Sequence, residues 1–526
     1  MHQIDDRDDF LPHVAAGLTF PTCNLLTTNN LSGGFDVLGT PSLPLTIMSP
    51  DLVHHGVEYT VSSEPPKAHL PVDEFRLRGI KYVRIQWVDL VNHIKHRVVP
   101  ITYFEKLLQT SRPGSSLTRA TLGLVFVTVA EGFSSTGECL YALDLSTLRL
   151  CPYAPGHASV MGWFEEKQPR AGLSGHRALE MDICPRTILR RVVENAKELS
   201  GIEFLIGFET EFILLNKISP VEAVNPHGWC DSKALLSGST EAVVLEEIAD
   251  CLAASGVELQ MYHGEGAPGQ YEIVTGPLAP PQAVDALIHT RETIYNVANK
   301  HGLTATLAPR IFLDNCGSAT HAHISVHAPS NETPEPSLHA NLTTLEEHLL
   351  AGILAHLSSL TLLLMPTSAS YARMHDGVWS GGTYVCWGTD DKEAPLRLCN
   401  AASPSSRNFE LKTLDGTANP YLAIAGVLSA GLEGVLEERA LTIKDCHGEK
   451  SAALLGDKGR ADLGITERLP LSWEEARVKF EQSRWVDNVF GKEFKTKYLS
   501  VNKLLKELST GGRTEEEALR LLVENY

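Results

Sequence analysis

The ten cysteines include no C-x-x-C pair, and the acidic start from Met1 to Asp9 is not followed by the apolar core of a secretory leader. This excludes the thiolate spacing of a structural zinc site. It points to reduced cytosolic thiols rather than a disulfide frame. A basic surplus is also missing. The net charge is −19 at pH 7, which speaks against a general nucleic-acid binder and leaves room only for a local basic pocket that takes a small anion. The most apolar run, Leu349 to Met365, is short for a bilayer span and is interrupted by His356, Ser358, Ser359 and Thr361. It reads as a buried helix, with Thr343 and Glu346 placed to form a capping box at its start. Repeats and low-complexity tracts are absent. The expectation is a cytoplasmic protein that binds neither nucleic acid nor membrane.

What is present fits a globular chain, 43% hydrophobic and 21% charged over 526 residues, long enough for two domains. Residues 1–72 are rich in turn formers and weakly periodic, and read as an irregular N-terminal extension. Residues 73–165 read as a small β-rich domain. In it Tyr82 to Asp89 alternates as a strand, and His96 to Pro100 returns after a turn. His93 and His96 form an H-x-x-H at that turn and are expected to be solvated. Residues 166–526 read as a mixed sheet with helices packed around it. Helices are expected over Pro185 to Ser200, Val243 to Ala254, Pro281 to Lys300, Leu345 to Leu364, Tyr421 to Ala440 and Trp473 to Glu481.

The chemistry concentrates in four strand-like segments. In Gly207 to Leu215, Phe208, Phe212 and Leu214 fall on one face and Glu209 and Glu211 on the other. Two carboxylates on one face repel unless something positive lies between them. Glu258 to Glu265 and Gln270 to Thr275 read as a hairpin carrying Glu265 and Glu272. Its formal G-x-G-x-x-G (Gly264, Gly266, Gly269) is discounted as a dinucleotide site, because a strand comes next rather than a helix. Thr320 to His327 puts His321, His323, Ser325 and His327 on one face. Asn408 to Thr413 puts Glu410 and Lys412 together. An oxygen-rich set with imidazole favours Mg²⁺ or Mn²⁺, and five carboxylates call for two or more ions. Such a site suits phosphates, with Arg373, Lys392, Arg397 and Lys412 as candidate cations.

These segments carry a resemblance. Glu209-Thr-Glu, His263-Gly-Glu with Pro268-Gly-Gln-Tyr-Glu, His321-Ala-His, Ser370-Tyr-Ala-Arg, Trp387-Gly, Asp391 to Arg397 and Asn419-Pro-Tyr-Leu resemble the class I glutamine synthetase superfamily in order from about Lys81 onward. The run from Glu410 to Leu422 is most similar to its fungal FluG-like branch. Members of that branch often carry an amidohydrolase domain in front, for which the segment here is too short. The resemblance implies an α+β fold: a β-grasp N-terminal domain, then a catalytic domain whose curved antiparallel sheet is surrounded by helices. It implies stacked homo-oligomeric rings with active sites between subunits. It also implies that Glu211, Glu265 and Glu272 hold one Mg²⁺ or Mn²⁺ and that Glu209, His321 and Glu410 hold another. His323, Ser325, Lys392 and Arg397 would contact ATP. Gly317, Arg373, Lys412 and Trp379 would line the amino-acid substrate site, with Arg373, Lys392 and Lys412 catalytic. The implied reaction phosphorylates the γ-carboxylate of glutamate with ATP, and an amine then attacks the acyl phosphate.

Four departures bear on the acceptor. Lys392 and Lys412 stand where the synthetases have arginines, keeping charge without the bidentate fork. Cys316 replaces an asparagine beside Gly317. Trp379 stands where a glutamate helps deprotonate ammonium. Thr118-Arg-Ala replaces the aspartate motif that binds ammonium, and an arginine there opposes a cation. The expectation is therefore an organic amine rather than ammonia. True glutamine synthesis is one alternative, and a ring protein with a regulatory or scaffold role is another.

Overall fold

A computed structural model describes residues 56–62, 69–329, 337, 339, 341–377 and 381–526. Most of the expected N-terminal extension lies outside these residues, and so does Trp379. Among the described residues the chain is α+β, with two principal sheets.

The first sheet begins with β1 (Tyr82–Val88) and β2 (Ile94–Pro100), paired antiparallel with Tyr82 opposite Pro100. Helix α1 (Ile101–Leu107) comes directly after and buries Phe104, which stacks on Phe75 at 5.9 Å. The sequence pattern did not separate this one-sided helix of seven residues from strand. Then come β3 (Gly114–Thr118), a small ribbon of β4 (Leu124–Val125) and β5 (Thr128–Val129), β6 (Glu138–Leu150) and β7 (His157–Glu165). The sheet order is β2-β1-β7-β6-β3, with β1 and β7 parallel. His93 is not solvated at its turn, contrary to expectation. Its ring packs 5.5 Å from Tyr526 and 5.9 Å from Phe126, because the C-terminal residue returns to donate its hydroxyl to the Val91 carbonyl.

Helix α2 (Pro185–Ser200) starts on a proline whose missing N–H costs nothing there, and it ends at Gly201 in the left-handed region at φ +71°. It leads into β8 (Glu203–Ile218), the longest strand. The second sheet then adds β9 (Val221–Ala223), β10 (Leu259–Gly264), β11 (Gln270–Leu278), β12 (Thr304–Thr306), β13 (Thr320–His327), β14 (Trp387–Thr389), β15 (Leu396–Cys399) and β16 (Asn408–Leu411). Its order is β10-β11-β8-β13-β16-β15-β14, with β9 and β12 pairing on the far end of β8. All its pairs are antiparallel except β14 with β15. Glu265 falls just past the end of β10, in the turn, rather than on the strand.

Helices α3 (Thr240–Ala254) and α4 (Pro280–Lys300) cover one region of this sheet. Helices α5 (Thr344–Leu364) and α6 (Pro420–Leu436) form an apolar pair, and α5 starts with the expected capping box of Thr343 and Glu346. Its apolar length would suffice to cross a membrane, but 72% of that window is buried inside the protein. Its leucines belong to the same core as the sheet. The two helices touch backbone to backbone at Gly352 and Gly434. A Cβ on Gly352 would stand 2.2 Å from the Ala430 carbonyl oxygen, so no larger residue fits. The chain ends in α7 (Gly456–Asp462), α8 (Trp473–Gln482), α9 (Arg484–Phe490), α10 (Lys492–Thr510) and α11 (Glu515–Asn525).

Candidate active site

Strand pairing assembles the chemistry. Between β11 and β8, Glu272 stands opposite Glu211; between β8 and β13, His321 stands opposite Glu209; between β13 and β16, His323 stands opposite Glu410. Residues directly opposite share a face, so carboxylates and imidazoles from four strands converge on one surface of the sheet. Phe204, Ile206, Phe208 and Phe212 point the other way into the core, which fixes the register: a slip of one residue would turn the glutamates of β8 into the apolar core.

The spacing fits metal ligands. Nδ1 of His321 lies 3.0 Å from a Glu209 oxygen, 3.3 Å from Glu410 and 3.7 Å from Glu211. Ligand atoms about 2.1 Å from an octahedral divalent ion stand about 3.0 Å apart, so these gaps match the edges of such a shell. Sets of Glu209, Glu272 and His321, of Glu209, His323 and Glu410, and of His263, Glu265 and Glu272 each bring ligand atoms within 4.8 Å of one another. His263, to which the sequence pattern assigns no role, lies 3.2 Å from Glu272 and 3.6 Å from Glu265. The H-x-E spacing, two residues before Glu265, was the signal available.

The charges split into two halves. Burial pushes the Glu211 carboxyl up to about 7, with Glu272 and Glu265 adding to the rise against the pull of His321. Burial likewise raises Glu272 to about 7, against a hydrogen bond from His263, while Glu209 and Glu265 raise it further. His263 in turn is lifted to about 9, chiefly by its bond to Glu272. In the other half, burial would raise Glu410, but Lys412, His321 and His323 hold it down to about 2. Glu209 is held well below the carboxylate range, with burial outweighed by His323 and His321. The first half is a set of acids short of positive charge, which a divalent cation would supply. The donor set, all carboxylate oxygen and imidazole nitrogen, suits Mg²⁺ or Mn²⁺.

Cations flank the second half. Glu410 receives Lys412 Nζ at 2.7 Å on one oxygen and Arg397 Nη1 at 3.0 Å on the other. Arg397 also reaches Asp390 at 3.7 Å. Arg373 is buried and donates to the Lys412 carbonyl at 3.1 Å, with Asp415 at 3.9 Å. Gly317 lies against it: a Cβ there would stand 2.6 Å from Arg373 Cγ and 2.7 Å from the Pro309 carbonyl oxygen. Glu211 is fixed by the Ala319 N–H at 2.8 Å and the Gln270 amide at 3.1 Å. His323 donates or accepts at Asn408 (2.8 Å) and Glu209 (3.0 Å). Ser325, two residues further along the same face, bonds His327 at 2.9 Å instead of joining the carboxylates. Lys392 stands apart in the turn after β14, its ammonium 5.3 Å from the centre of the exposed Trp229 ring. Arg119 is ion-paired with Glu166.

Carboxylates and imidazoles thus gather on and beside one sheet face, next to lysine and arginine, in groups that could hold divalent ions. The sequence profile described as "Glutamine synthetase, catalytic domain" matches residues 182–511. The chain belongs to that family. Among curated relatives, "Protein fluG" of Emericella nidulans is 35% identical over 463 residues, 85% of this chain and 49% of its own length. The chain thus spans about half of that relative. The "Gamma-glutamylpolyamine synthetase" of Streptomyces coelicolor is 32% identical over 308 residues, 56% of this chain and 64% of its own. The "Glutamate--isopropylamine ligase" of a Pseudomonas species is 28% identical over 457 residues, 83% of this chain and 94% of its own.

Proposed function

We propose that this protein joins the γ-carboxylate of glutamate to an organic amine at the expense of ATP. Glu211, Glu265 and Glu272 would hold one Mg²⁺ or Mn²⁺ and Glu209, His321 and Glu410 a second. His323, Ser325, Lys392 and Arg397 would bind ATP, and Gly317, Arg373, Lys412 and Trp379 would bind glutamate. Ions held there would neutralise the nucleotide phosphates. The carboxylate attacks the γ-phosphorus, ADP leaves, and the acyl phosphate gives up inorganic phosphate when the amine attacks its carbonyl. Lys412 and Arg397, which both bind the Glu410 carboxylate, would be the cations that neutralise charge developing on the transferred group.

The observation that supports the reading is a cluster of carboxylates and imidazoles close enough to hold metal ions, alongside an arginine in the segment where ammonium would need an acid. Arg119, in the segment where an acidic motif would bind ammonium, is engaged with Glu166, and Trp229 adds an exposed aromatic face beside Lys392. Two relatives named for polyamine and isopropylamine acceptors support the same choice. Assembly into stacked rings, with each site completed by a neighbour, and a cytoplasmic location belong to the same proposal. The test is oxygen tracing. Glutamate labelled with ¹⁸O in its γ-carboxylate should transfer one label to the released phosphate in the presence of an amine. Unlabelled phosphate would show that ATP is merely hydrolysed.

A further inference from the structure

Away from the carboxylate cluster, a cavity of about 80 Å³ lies between the first sheet and helices α2 and α4. Its lining is rich in donors. Arg186, 5% exposed, donates from Nη2 to Asp285 at 2.6 Å and to Asp144 at 2.9 Å and from Nε to Asp285 at 2.9 Å, but its Nη1 is buried with no hydrogen-bond partner. His289, 4% exposed, has neither ring nitrogen bonded. Arg149 donates to the Ser255 carbonyl at 2.9 Å, and no carboxylate stands within ion-pair distance of it among the described residues. Thr147 and Ser159 add hydroxyls.

A buried donor without a partner costs about 1–3 kcal/mol, and a charged one more. Two such groups on one cavity, Arg186 Nη1 and the His289 ring, therefore call for an acceptor inside it. The single carboxylate in the wall, Asp285, is already engaged on both oxygens by Arg186, and on one of them also by the Tyr421 hydroxyl at 2.6 Å. It cannot turn to serve the orphan donors. Burial, with Arg149 and His69 nearby, drives the His289 pKa well below the ordinary value, so the ring is neutral and offers one N–H. Asp144 and Asp285 both meet the Arg186 charge, so the positive charge left without a carboxylate at this cavity is that of Arg149. The missing partner is an acceptor with several oxygens and negative charge. The space excludes a nucleotide but admits a phosphate or a short carboxylate.

We infer that this cavity is a binding site for a small oxyanion, held by Arg149, Arg186 Nη1 and His289. It is separate from the ligase site, and its failure would leave that reading intact. It has a physical route to the sheet. Two residues beyond His289 on α4, Arg291 bonds Thr320, the residue before His321, at 3.4 Å.

The test uses the full chain without ATP, metal or amine. Crystals soaked in selenate should show an anomalous peak in the cavity within hydrogen-bond distance of Arg186 Nη1 and His289. Waters alone there would overturn the inference. In solution, phosphate and succinate titrations by calorimetry distinguish the two oxyanion classes. The variant Arg397→Gln removes phosphate binding at the ligase site from the comparison. In that background Arg149→Gln should weaken binding of the preferred oxyanion at least ten-fold, and His289→Leu should weaken it as well. Unchanged affinity in both folded variants would refute the site.

Discussion

Replacing Glu410 by glutamine removes one charge and no volume, and its contacts set the consequences. The carboxylate is 1% exposed and neutralises Lys412 at 2.7 Å and Arg397 at 3.0 Å, with His321 at 3.3 Å. A glutamine oxygen can still accept from one cation, but the other is left unpaired. A charged hydrogen bond lost in a buried site costs about 1.5–3 kcal/mol, so metal-free stability should fall by about 2 kcal/mol and the protein should remain folded. The effect on activity is larger. One more uncompensated positive charge would then face the position proposed for the second metal ion, which would also lose an anionic ligand. Stoichiometry by Mn²⁺ titration should drop from two ions per site to one. Turnover should fall by about 10³, equivalent to about 4 kcal/mol of transition-state stabilisation. Phosphate release at saturating glutamate and amine measures the rate, and circular dichroism checks the fold. Two bound ions with turnover within ten-fold of wild type would refute the assignment of Glu410.

Gly317→Ala places a methyl 2.6 Å from Arg373 Cγ. The glutamate KM should rise at least ten-fold with ATP affinity little changed, as read by initial rates. Metal binding should release protons, because Glu211 and Glu272 sit at about 7 in the metal-free protein. These raised carboxyls stabilise the metal-free fold fully below pH 4.5 and lose that contribution as pH rises through 7. The rise in melting temperature on adding Mg²⁺ should therefore grow from pH 5.5 to 8, and calorimetry in buffers of different ionisation heat should show proton release that shrinks over that range. Gly352→Val forces α5 and α6 apart and should cost at least about 3 kcal/mol in denaturant unfolding.

Local sequence made the strands legible where one face had to be apolar. The alternation around Glu209 and Glu211 marks β8, and the proline and glycine at its ends mark α2. Six candidate ligands could be named because each sits on or beside such a strand. Local pattern could not show which strands pair. The contacts of His321 with Glu209 and of Glu272 with Glu211 depend on register between segments far apart in the chain. His263 passed without a role because a histidine before a turn has no periodic signature. The packing of His93 has no local signature either, because its aromatic neighbour, Tyr526, is remote in sequence. Helix α1 was hidden because seven residues after a strand give too short a period to read.

The most direct measurement of the central claim is phosphate release by the purified protein with ATP, glutamate and Mg²⁺ or Mn²⁺, comparing ammonia with a panel of ethanolamine, polyamines and aromatic amines. The account predicts release that depends on an organic amine and exceeds the rate with ammonia at equal concentration, together with the matching γ-glutamyl amide by mass spectrometry. Release driven by ammonia alone, or none with any acceptor from protein that binds ATP, would contradict it.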